Sequence, residues 1–354
     1  MVEQDKKIGI VGLGYVGLPL LIELSSFFHV VGFDIDKKRV DDLNLGKDTK
    51  GELDEISLKK IKSLKISSEE DDLKDCNFYI VTVPTPINSQ KKPNLEPLRE
   101  ASSLVGKLLS KDDIVVYEST VYPGVTEEFC VPILENISGL VFNQEFFVGY
   151  SPERINPGDN NLHLKDILKV TSGSTEYIAD VIDKVYLKII TAGTYKAPSI
   201  KVAEACKVVE NIQRDVNIAL VNELHQIFSK INIDTKEVIE AASTKWNFMK
   251  LFPGLVGGHC ISVDPYYLLH QSKEYGYMPE LMRTARSIND SMAEYLAIDF
   301  FNKLNEERSL FKSNQVAILG FTFKENCSDI RNTKVYDLVL KMRDLKLDPR
   351  VYDP

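Results

Sequence analysis

One cysteine of this 354-residue chain, Cys260, stands in a setting that favours covalent chemistry. It follows Gly257, Gly258 and His259, and Asp264 comes four residues later. Glycines leave no side chain in front of the sulfur, so a substrate carbon could approach it, and the carboxylate could order a water or a proton donor. A buried structural cysteine after a glycine turn is the plainer interpretation, because free cysteine is among the most buried residue types. The other motifs of the chain favour chemistry.

The N-terminal segment carries a dinucleotide-binding fingerprint. Gly12, Gly14 and Gly17 lie between a short apolar strand pattern and a helical one. In such a unit the first glycine allows the tight turn, the second lets the backbone approach a pyrophosphate, and the third allows close packing of helix on strand. Asp34 ends the next strand about twenty residues on, where a ribose hydroxyl would lie. This acid would repel a 2′-phosphate and predicts NAD over NADP, a preference that Arg39 weakens slightly.

Strand and helix patterns alternate along the first half of the chain, which predicts an α/β fold with an open, mostly parallel sheet. The charged stretch 47–75 is predicted to be solvated helix and loop. Such sheets bind ligands beyond the carboxyl ends of their strands. The strands are predicted at 7–11, 30–34, 78–83, 114–120, 147–151 and 167–171, and the residues expected to face one crevice are Thr82, Pro84, Glu118, Ser119, Thr120 and Glu153.

A long helix is predicted from Pro198 to Ile231, where apolar residues recur at helical spacing without an internal Gly or Pro. Lys207 and Asn211 are four residues apart and therefore share one face of it. On a solvent-exposed face they would be ordinary polar residues. A second helix is predicted over 279–304, and strand, helix and strand patterns follow at 315–320, 334–345 and 349–352.

Composition limits the classes of function. The length predicts two or three domains. Five scattered cysteines without a CxxC pair support neither a disulfide framework nor a metal site. The net charge of −9 argues against nucleic-acid binding. The lack of a long apolar run argues against a membrane span, and the polar start argues against a signal peptide. We therefore expect a soluble, cytoplasmic protein with no nucleic-acid, membrane or metal partner.

Several motifs in the same order resemble the nucleotide-sugar 6-dehydrogenases, the family of UDP-glucose dehydrogenase. The run Gly-His-Cys-Ile-Ser-Val-Asp-Pro-Tyr-Tyr-Leu is most similar to the UDP-N-acetylhexosamine branch, whose members act on UDP-N-acetylglucosamine or UDP-N-acetylgalactosamine. The resemblance covers nearly the whole chain. Its segments are 10–19, 83–86, 118–124, 151–154, 207–211, 253–268, 319–324 and 329–331.

The resemblance implies three domains and a homodimer built on the central helix. We expect an N-terminal Rossmann-like NAD domain at 1–196 and a central helical, dimerisation domain with the catalytic cysteine at 197–305. Residues 306–354 would begin a partial Rossmann-like UDP-binding domain. A single βαβ unit is short for that fold, so the chain looks truncated, with activity weakened or lost as a result.

The resemblance also implies a four-electron oxidation of carbon 6, from alcohol to carboxylate, with two NAD⁺. Cys260 would capture the aldehyde as a thiohemiacetal and then become a thioester. Glu153 would activate the hydrolytic water. Lys207 and Asn211 would stabilise charge on the reacting oxygen, and Lys207 would also lower the pKa of the thiol. Thr120 and Asp264 would hold a water that relays protons.

Further residues are assigned to ligands by the same resemblance. The family branch commonly has a basic residue where this chain has Phe252, and Lys250 is the candidate replacement. Cofactor binding is expected of Gly12, Gly14, Tyr15, Val16, Gly17, Asp34, Arg39, Thr82, Pro84, Thr85, Ser119, Thr120, Glu153 and Arg331. Substrate binding is expected of Glu153, Arg154, Lys207, Asn211, Lys250, Phe252, Gly254, Gly257, Phe321 and Lys324.

Alternatives remain open from the sequence. UDP-N-acetylmannosamine or UDP-glucose could replace UDP-N-acetylglucosamine as the substrate, because these sugars differ in one substituent or one hydroxyl orientation. In a simple two-electron dehydrogenase Cys260 would have no role in the reaction, and one NADH would be made per substrate. A non-catalytic nucleotide-sugar-binding or dimerisation protein is the alternative of another class, and the intact Lys207, Asn211, Cys260 and Asp264 set argues against it.

Overall fold

A computed structural model of the chain describes residues 6–49, 53, 55–155, 163–258, 261–307, 313–325 and 330–353. Its contacts divide the chain into two units, Met1–Val208 and Val209–Pro354. None of the helices in these described ranges is long and apolar enough to cross a membrane.

The first unit is built on an eight-stranded sheet of order β3-β2-β1-β4-β5-β6-β7-β8. All neighbouring pairs are parallel except β6 and β7, which are antiparallel. The predicted α/β fold with a mostly parallel sheet is confirmed. The strands are β1 (Lys7–Val11), β2 (His29–Phe33), β3 (Lys65–Ser67), β4 (Phe78–Val81), β5 (Asp113–Tyr117), β6 (Phe146–Tyr150), β7 (Lys169–Gly173) and β8 (Thr194–Lys196).

Both faces of this sheet are buried, which explains why its central strands are apolar throughout rather than alternating. In β4, Phe78 and Ile80 contribute to one hydrophobic core, while Tyr79 and Val81 contribute to the other. Helices cover the two faces. They are α1 (Gly17–Leu24), α2 (Lys37–Asn44), α3 (Glu55–Ile61), α4 (Glu96–Leu108), α5 (Val131–Ser138) and α6 (Glu176–Leu187), with a π-helical segment at Val125–Cys130.

The prediction that the charged stretch 47–75 consists of solvated helix and loop is incomplete. It contains α3, but it also supplies β3, which pairs in parallel with β2 at the edge of the sheet. Ile66 is buried, whereas its neighbour Lys65 is exposed. A strand of three residues with one buried apolar side chain has too little periodicity to be recognised from sequence, and pairing with β2 decides its structure.

The predicted long helix is present as α7 (Ile200–Lys230), which begins in the first unit and continues into the second. The second unit adds α8 (Thr235–Ala242), α9 (Asp264–Glu274) and α10 (Glu280–Glu306). The parallel pair β9 (Gln315–Leu319) and β10 (Asp348–Tyr352) follows, with α11 (Lys334–Asp344) between its strands. Ala297 of α10 packs with Met342 and Leu347 in a small core shared with this βαβ unit.

Candidate active site

The loop between β1 and α1 has the geometry of a pyrophosphate-binding turn. Gly12 has φ +99°, which favours glycine, and its amide donates to the carbonyl of Phe33 at 2.8 Å. A Cβ on Gly17 would lie 1.9 Å from the carbonyl oxygen of Gly12, so no larger residue fits there. A Cβ on Gly14 would meet nothing within 4 Å, which leaves open space above that backbone. Gly12 therefore allows the turn, Gly14 leaves room for a ligand, and Gly17 allows close packing. This is the arrangement that binds the pyrophosphate of NAD, so the loop fits this cofactor.

The predicted ribose acid, Asp34, is joined to this loop. Its Oδ2 accepts from the amide of Leu13 at 2.8 Å, and its Oδ1 accepts from the amide of Asp36 at 2.9 Å. Arg39 is buried, forms an ion pair with Asp48 at 2.5 Å and donates from Nε to the carbonyl of Leu13 at 3.3 Å. Asp34 and Arg39 thus both bind the backbone of Leu13, which lies between Gly12 and Gly14.

Removing the charge of Asp34 is expected to weaken the discrimination against NADP⁺. Asp34→Asn keeps an oxygen that can accept from Leu13, yet it no longer repels a 2′-phosphate, so the ratio of the two dissociation constants should fall roughly tenfold. Calorimetric titration with NAD⁺ and NADP⁺ measures this ratio. Asp41→Asn removes an exposed charge from the neighbouring helix and serves as the control. Equal affinity of the unchanged protein for both cofactors would contradict the role of Asp34.

Hydroxyl groups join the loops at the carboxyl ends of β1, β4 and β5 by hydrogen bonds. Thr82 donates to the carbonyl of Gly12 at 2.7 Å, and Ser119 donates to the carbonyl of Val83 at 2.6 Å. Thr85 donates to the carbonyl of Thr120 at 2.6 Å. The structure therefore brings these cofactor candidates to one edge of the sheet. Among the other candidates nearby, Val16 is buried at the start of α1, Tyr15 packs partly buried on the core, and Pro84 is exposed.

Glu153 follows β6 and is almost completely buried. Its Oε1 accepts from the amides of Arg154 and Ile155, while its Oε2 has no hydrogen-bond partner among the described residues. Nζ of Lys169 lies 3.7 Å from that Oε2. The guanidinium of Arg154 donates to the carbonyl of Leu168 at 2.7 Å.

The start of α7 is anchored by a residue that sequence reasoning missed. Glu204 is fully buried, and its carboxylate accepts from the amides of Gly124 at 2.5 Å and Thr126 at 2.9 Å. Burial raises the pKa of Glu204 to about 7. Lys207, one turn further along the helix, is half-buried. A glutamate on the apolar side of a helix, next to the buried Ala203, was the available signal for Glu204.

In the second unit, Asn211 donates from Nδ2 to Oδ2 of Asp264 at 2.5 Å, and both side chains are buried. Asp264 is the first residue of α9, where the helix dipole favours a negative charge. Two predicted site residues, 53 positions apart in sequence, are therefore in direct contact.

A second missed residue, Asn222, holds the segment that leads towards Cys260. Its Nδ2 donates to the carbonyl of Gly254 at 3.1 Å, and its Oδ1 accepts from the Gly254 amide at 2.8 Å. Asn222 also donates to Asn289 at 2.8 Å, and Asn289 donates to Asp215 at 2.7 Å. Asn222 thus pairs with the Gly254 backbone as a neighbouring strand would. Cys260 itself lies outside the described residues, as does His259.

The next two glycines provide room for the loop between β9 and α11. A Cβ on Gly257 would lie 2.9 Å from the carbonyl oxygen of Asn332, and one on Gly258 would lie 2.9 Å from the ring of Phe323. Asn332 also donates to the carbonyl of Gly258 at 3.2 Å. Whereas the sequence suggested open space for a substrate, the neighbours of these two glycines are other parts of the same unit.

The remaining substrate candidates belong to the second unit. Phe321 accepts at its carbonyl from the hydroxyl of Thr333. Nζ of Lys324 lies 5.8 Å from the ring centroid of Phe323. Lys250 and Phe252 are both exposed, and Nζ of the lysine lies 5.6 Å from the centroid of the phenylalanine ring. Arg331, which was assigned to cofactor binding, lies in the same unit and is also exposed.

Comparison with protein families assigns all three parts of the chain to one family. Residues 6–190 match the NAD binding domain of the UDP-glucose/GDP-mannose dehydrogenase family. Residues 201–291 match its central domain, and residues 317–354 match its UDP binding domain. The chain belongs to this family of NAD-dependent nucleotide-sugar dehydrogenases. The predicted family, the enzyme class and the NAD cofactor are confirmed.

Individual relatives agree with that assignment. The chain is 56% identical over 351 residues to UDP-N-acetyl-D-glucosamine 6-dehydrogenase of Salmonella typhi, covering 99% of this chain and 83% of the relative. It is 54% identical over 351 residues to the enzyme of the same name from Pseudomonas aeruginosa, with the same coverage. Among solved structures, the UDP-D-ManNAc dehydrogenase of Pyrococcus horikoshii is 34% identical with a TM-score of 0.90, covering 98% of this chain and 83% of that one.

Proposed function

We propose that this enzyme oxidises carbon 6 of UDP-N-acetylglucosamine to the carboxylate with reduction of two NAD⁺. The observation that carries the proposal is the 56% and 54% identity, over nearly the whole chain, to two enzymes named for this substrate. Three relatives named for UDP-N-acetyl-D-mannosamine are more distant, at 34%, 33% and 31% identity. The product is a nucleotide-activated uronate suited to polysaccharide synthesis. Because NAD⁺ and UDP sugars are both present in the cytoplasm, we assign the enzyme to that compartment.

The reaction divides into two oxidations and a hydrolysis. NAD⁺ supplies the hydride acceptor for each oxidation. In the first, the carbon 6 alcohol loses a hydride and a proton to give the aldehyde, with Lys207 and Asn211 stabilising the charge on its oxygen. The Cys260 thiolate then adds to the aldehyde, and the thiohemiacetal loses a second hydride and a proton to become a thioester.

Hydrolysis of the thioester releases the carboxylate and the free thiolate. We assign the base that activates the water to Glu153, whose buried Oε2 accepts no hydrogen bond from any described residue. Thr120 and Asp264 are proposed to hold a water in the proton relay. The hydrogen bond from Asn211 to Asp264 supports a joint role, because it fixes the orientation of both side chains.

The yield of NADH per sugar tests the proposal. We expect two NADH for each UDP-N-acetylglucosamine consumed, and a lower kcat/KM for UDP-N-acetylgalactosamine, UDP-N-acetylmannosamine and UDP-glucose. Absorbance at the NADH band, together with chromatography of the UDP sugars, provides both values. A yield of one NADH would instead support a two-electron dehydrogenase. A higher kcat/KM for UDP-N-acetylmannosamine would move the proposal to that substrate.

We also propose that the enzyme is a homodimer through α7. Leu220 and Ile227 lie seven residues apart on one face of α7, and Ile231 directly follows the helix; each of the three is about half exposed. Trp246 in the same unit is 92% exposed. Exposed apolar side chains that are grouped on one surface favour an interface with another protein. In a symmetric dimer the same apolar surface of each copy would be buried against that of the other. Light scattering should give twice the chain mass, and Ile227→Glu should give a monomer; a monomeric parent protein would contradict the proposal.

A further inference from the structure

Two buried carboxylates share one lysine in the first unit. Glu118, Glu153 and Lys169 are only 1%, 4% and 2% exposed. Nζ of Lys169 lies 2.6 Å from Oε2 of Glu118 and 3.7 Å from Oε2 of Glu153. The hydroxyl of Tyr186, which is fully buried, donates to the other oxygen of Glu118. We call Glu118, Glu153 and Lys169 the carboxylate–lysine cluster.

The direction of β7 explains how the cluster forms. Glu118 directly follows β5, and Glu153 follows β6, so both lie beyond the carboxyl ends of parallel strands. Lys169 is the first residue of β7, which runs antiparallel to β6. Its amino end therefore meets the carboxyl ends of the other two strands, and the lysine reaches the ligand-binding edge of the sheet.

The charges of the cluster do not balance. If all three groups are ionised, the buried site holds two negative charges and one positive charge, and burial makes such an excess costly. Burial raises the pKa of Glu118, whereas Lys169 opposes that rise and the neighbouring Glu153 adds to it. Glu118 has two donors, Lys169 and Tyr186, whereas Oε2 of Glu153 has the longer contact to the lysine and no hydrogen bond from any described residue.

We propose that Lys169 and Glu118 are positioning residues that set the basicity of Glu153. Lys169 favours the ionised form of Glu153, which a base must have before it accepts a proton. Because the lysine binds Glu118 more closely, its attraction for Glu153 is partial, and the Glu118 charge opposes it. The inference rests on the hydrolytic role proposed for Glu153.

The other polar groups near Glu153, on Tyr186 and Arg154, make their hydrogen bonds to atoms other than its Oε2. Tyr186 lies on α6 with its ring centroid 5.2 Å from Nζ of Lys169, and it donates to Glu118. The guanidinium of Arg154 donates to the carbonyl of Leu168, and the backbone of Arg154 donates to Oε1 of Glu153 rather than to Oε2. Among the described residues, Lys169 is the cation within 4 Å of Oε2 of Glu153.

The test is the pH dependence of thioester hydrolysis in the full enzyme. The substrate is the UDP sugar that gives two NADH, and decay of the acyl-enzyme is followed by rapid quenching and mass spectrometry. Lys169→Met should move the acidic limb of the rate profile up by about 1–3 pH units, since Glu153 loses the cation that favours its ionised form. Glu118→Gln should move the same limb down by about one unit, because Lys169 then attracts Glu153 alone.

Opposite shifts from two neighbouring substitutions are not produced by general loosening of the structure. Lys169→Arg keeps a cation at this position, so its acidic limb should lie closer to that of the parent enzyme than the limb of Lys169→Met does. Lys184→Met, at an exposed lysine, is the matched control. If Lys169→Met does not fold, the downward shift in the near-isosteric Glu118→Gln decides the question. Unmoved limbs, together with acyl-enzyme accumulation in Glu153→Gln, would overturn this inference alone. If Glu153→Gln hydrolyses the thioester normally, the proposed role of Glu153 fails and this inference fails with it.

Discussion

Cys260→Ser is expected to lower the rate of uronate formation by at least roughly 10³-fold, the scale seen when a covalent nucleophile is removed. Serine is less readily ionised than cysteine, and an ester is hydrolysed less easily than a thioester. The variant should therefore release its first NADH and then stall at the aldehyde or at the acyl stage. The measurement is NADH produced per enzyme and per sugar in a single turnover.

The companion variant Glu153→Gln should stall at the acyl-enzyme. Its Cys260 can still attack, but the water lacks its base, so the acyl-enzyme should accumulate and the added mass should map to the peptide that contains Cys260. Cys206→Ser, at a half-buried cysteine outside any disulfide, should keep two NADH per sugar and serves as the control. Normal turnover with an unmodified Cys260 peptide would replace covalent catalysis by direct oxidation of the hydrated aldehyde.

Arg286→Met is expected to destabilise the second unit by about 3–5 kcal/mol. Nη1 of Arg286 lies 2.6 Å from Oδ1 of Asp215, and both side chains are almost fully buried. Burial already raises the pKa of Asp215 despite the opposing effects of Arg286 and Asn289. Removal of the arginine leaves a buried carboxylate without its cation, which is the costly way to break such a pair.

The loss should depend on pH. A carboxyl whose pKa is higher in the folded than in the unfolded state makes the folded state less stable as the pH rises from the unfolded to the folded value. Arg286→Met raises that folded pKa further, so its deficit should be smaller in mild acid than at neutral pH. Urea unfolding at both pH values measures it. Arg283→Met, an exposed residue of the same helix, should cost under about 0.5 kcal/mol. Overlapping curves for the two variants would refute the prediction.

The same Asp215 and Arg286 connect stability to the site. Asn289 donates to Asp215 and accepts from Asn222, which in turn pairs with the backbone of Gly254. Partial unfolding of this network would release the segment before Cys260. Arg286→Met is therefore expected to lower activity at temperatures below its unfolding midpoint, whereas Arg283→Met is not.

The sequence alone determined those features whose cause is local. Gly12, Gly14 and Gly17 predict their loop because the backbone geometry of a few consecutive residues requires them, and the structure has that geometry. The helix α7 was predictable to within two residues at its start and one at its end, since apolar spacing extends over its whole length. The motif around Cys260 indicated the family, although the cysteine lies outside the described residues.

Only the tertiary structure decided which charged residues are buried together. Lys169 and Glu118 have the residue types of a solvated surface, and they meet across 51 positions because β7 turns antiparallel to β6. Glu204 and Asn222 likewise bind backbone 80 and 32 positions away. Local periodicity reports which face of an element is apolar, but the burial of a charge depends on the partner that long-range packing brings to it. A pairwise contact of this kind has no signature in either segment by itself.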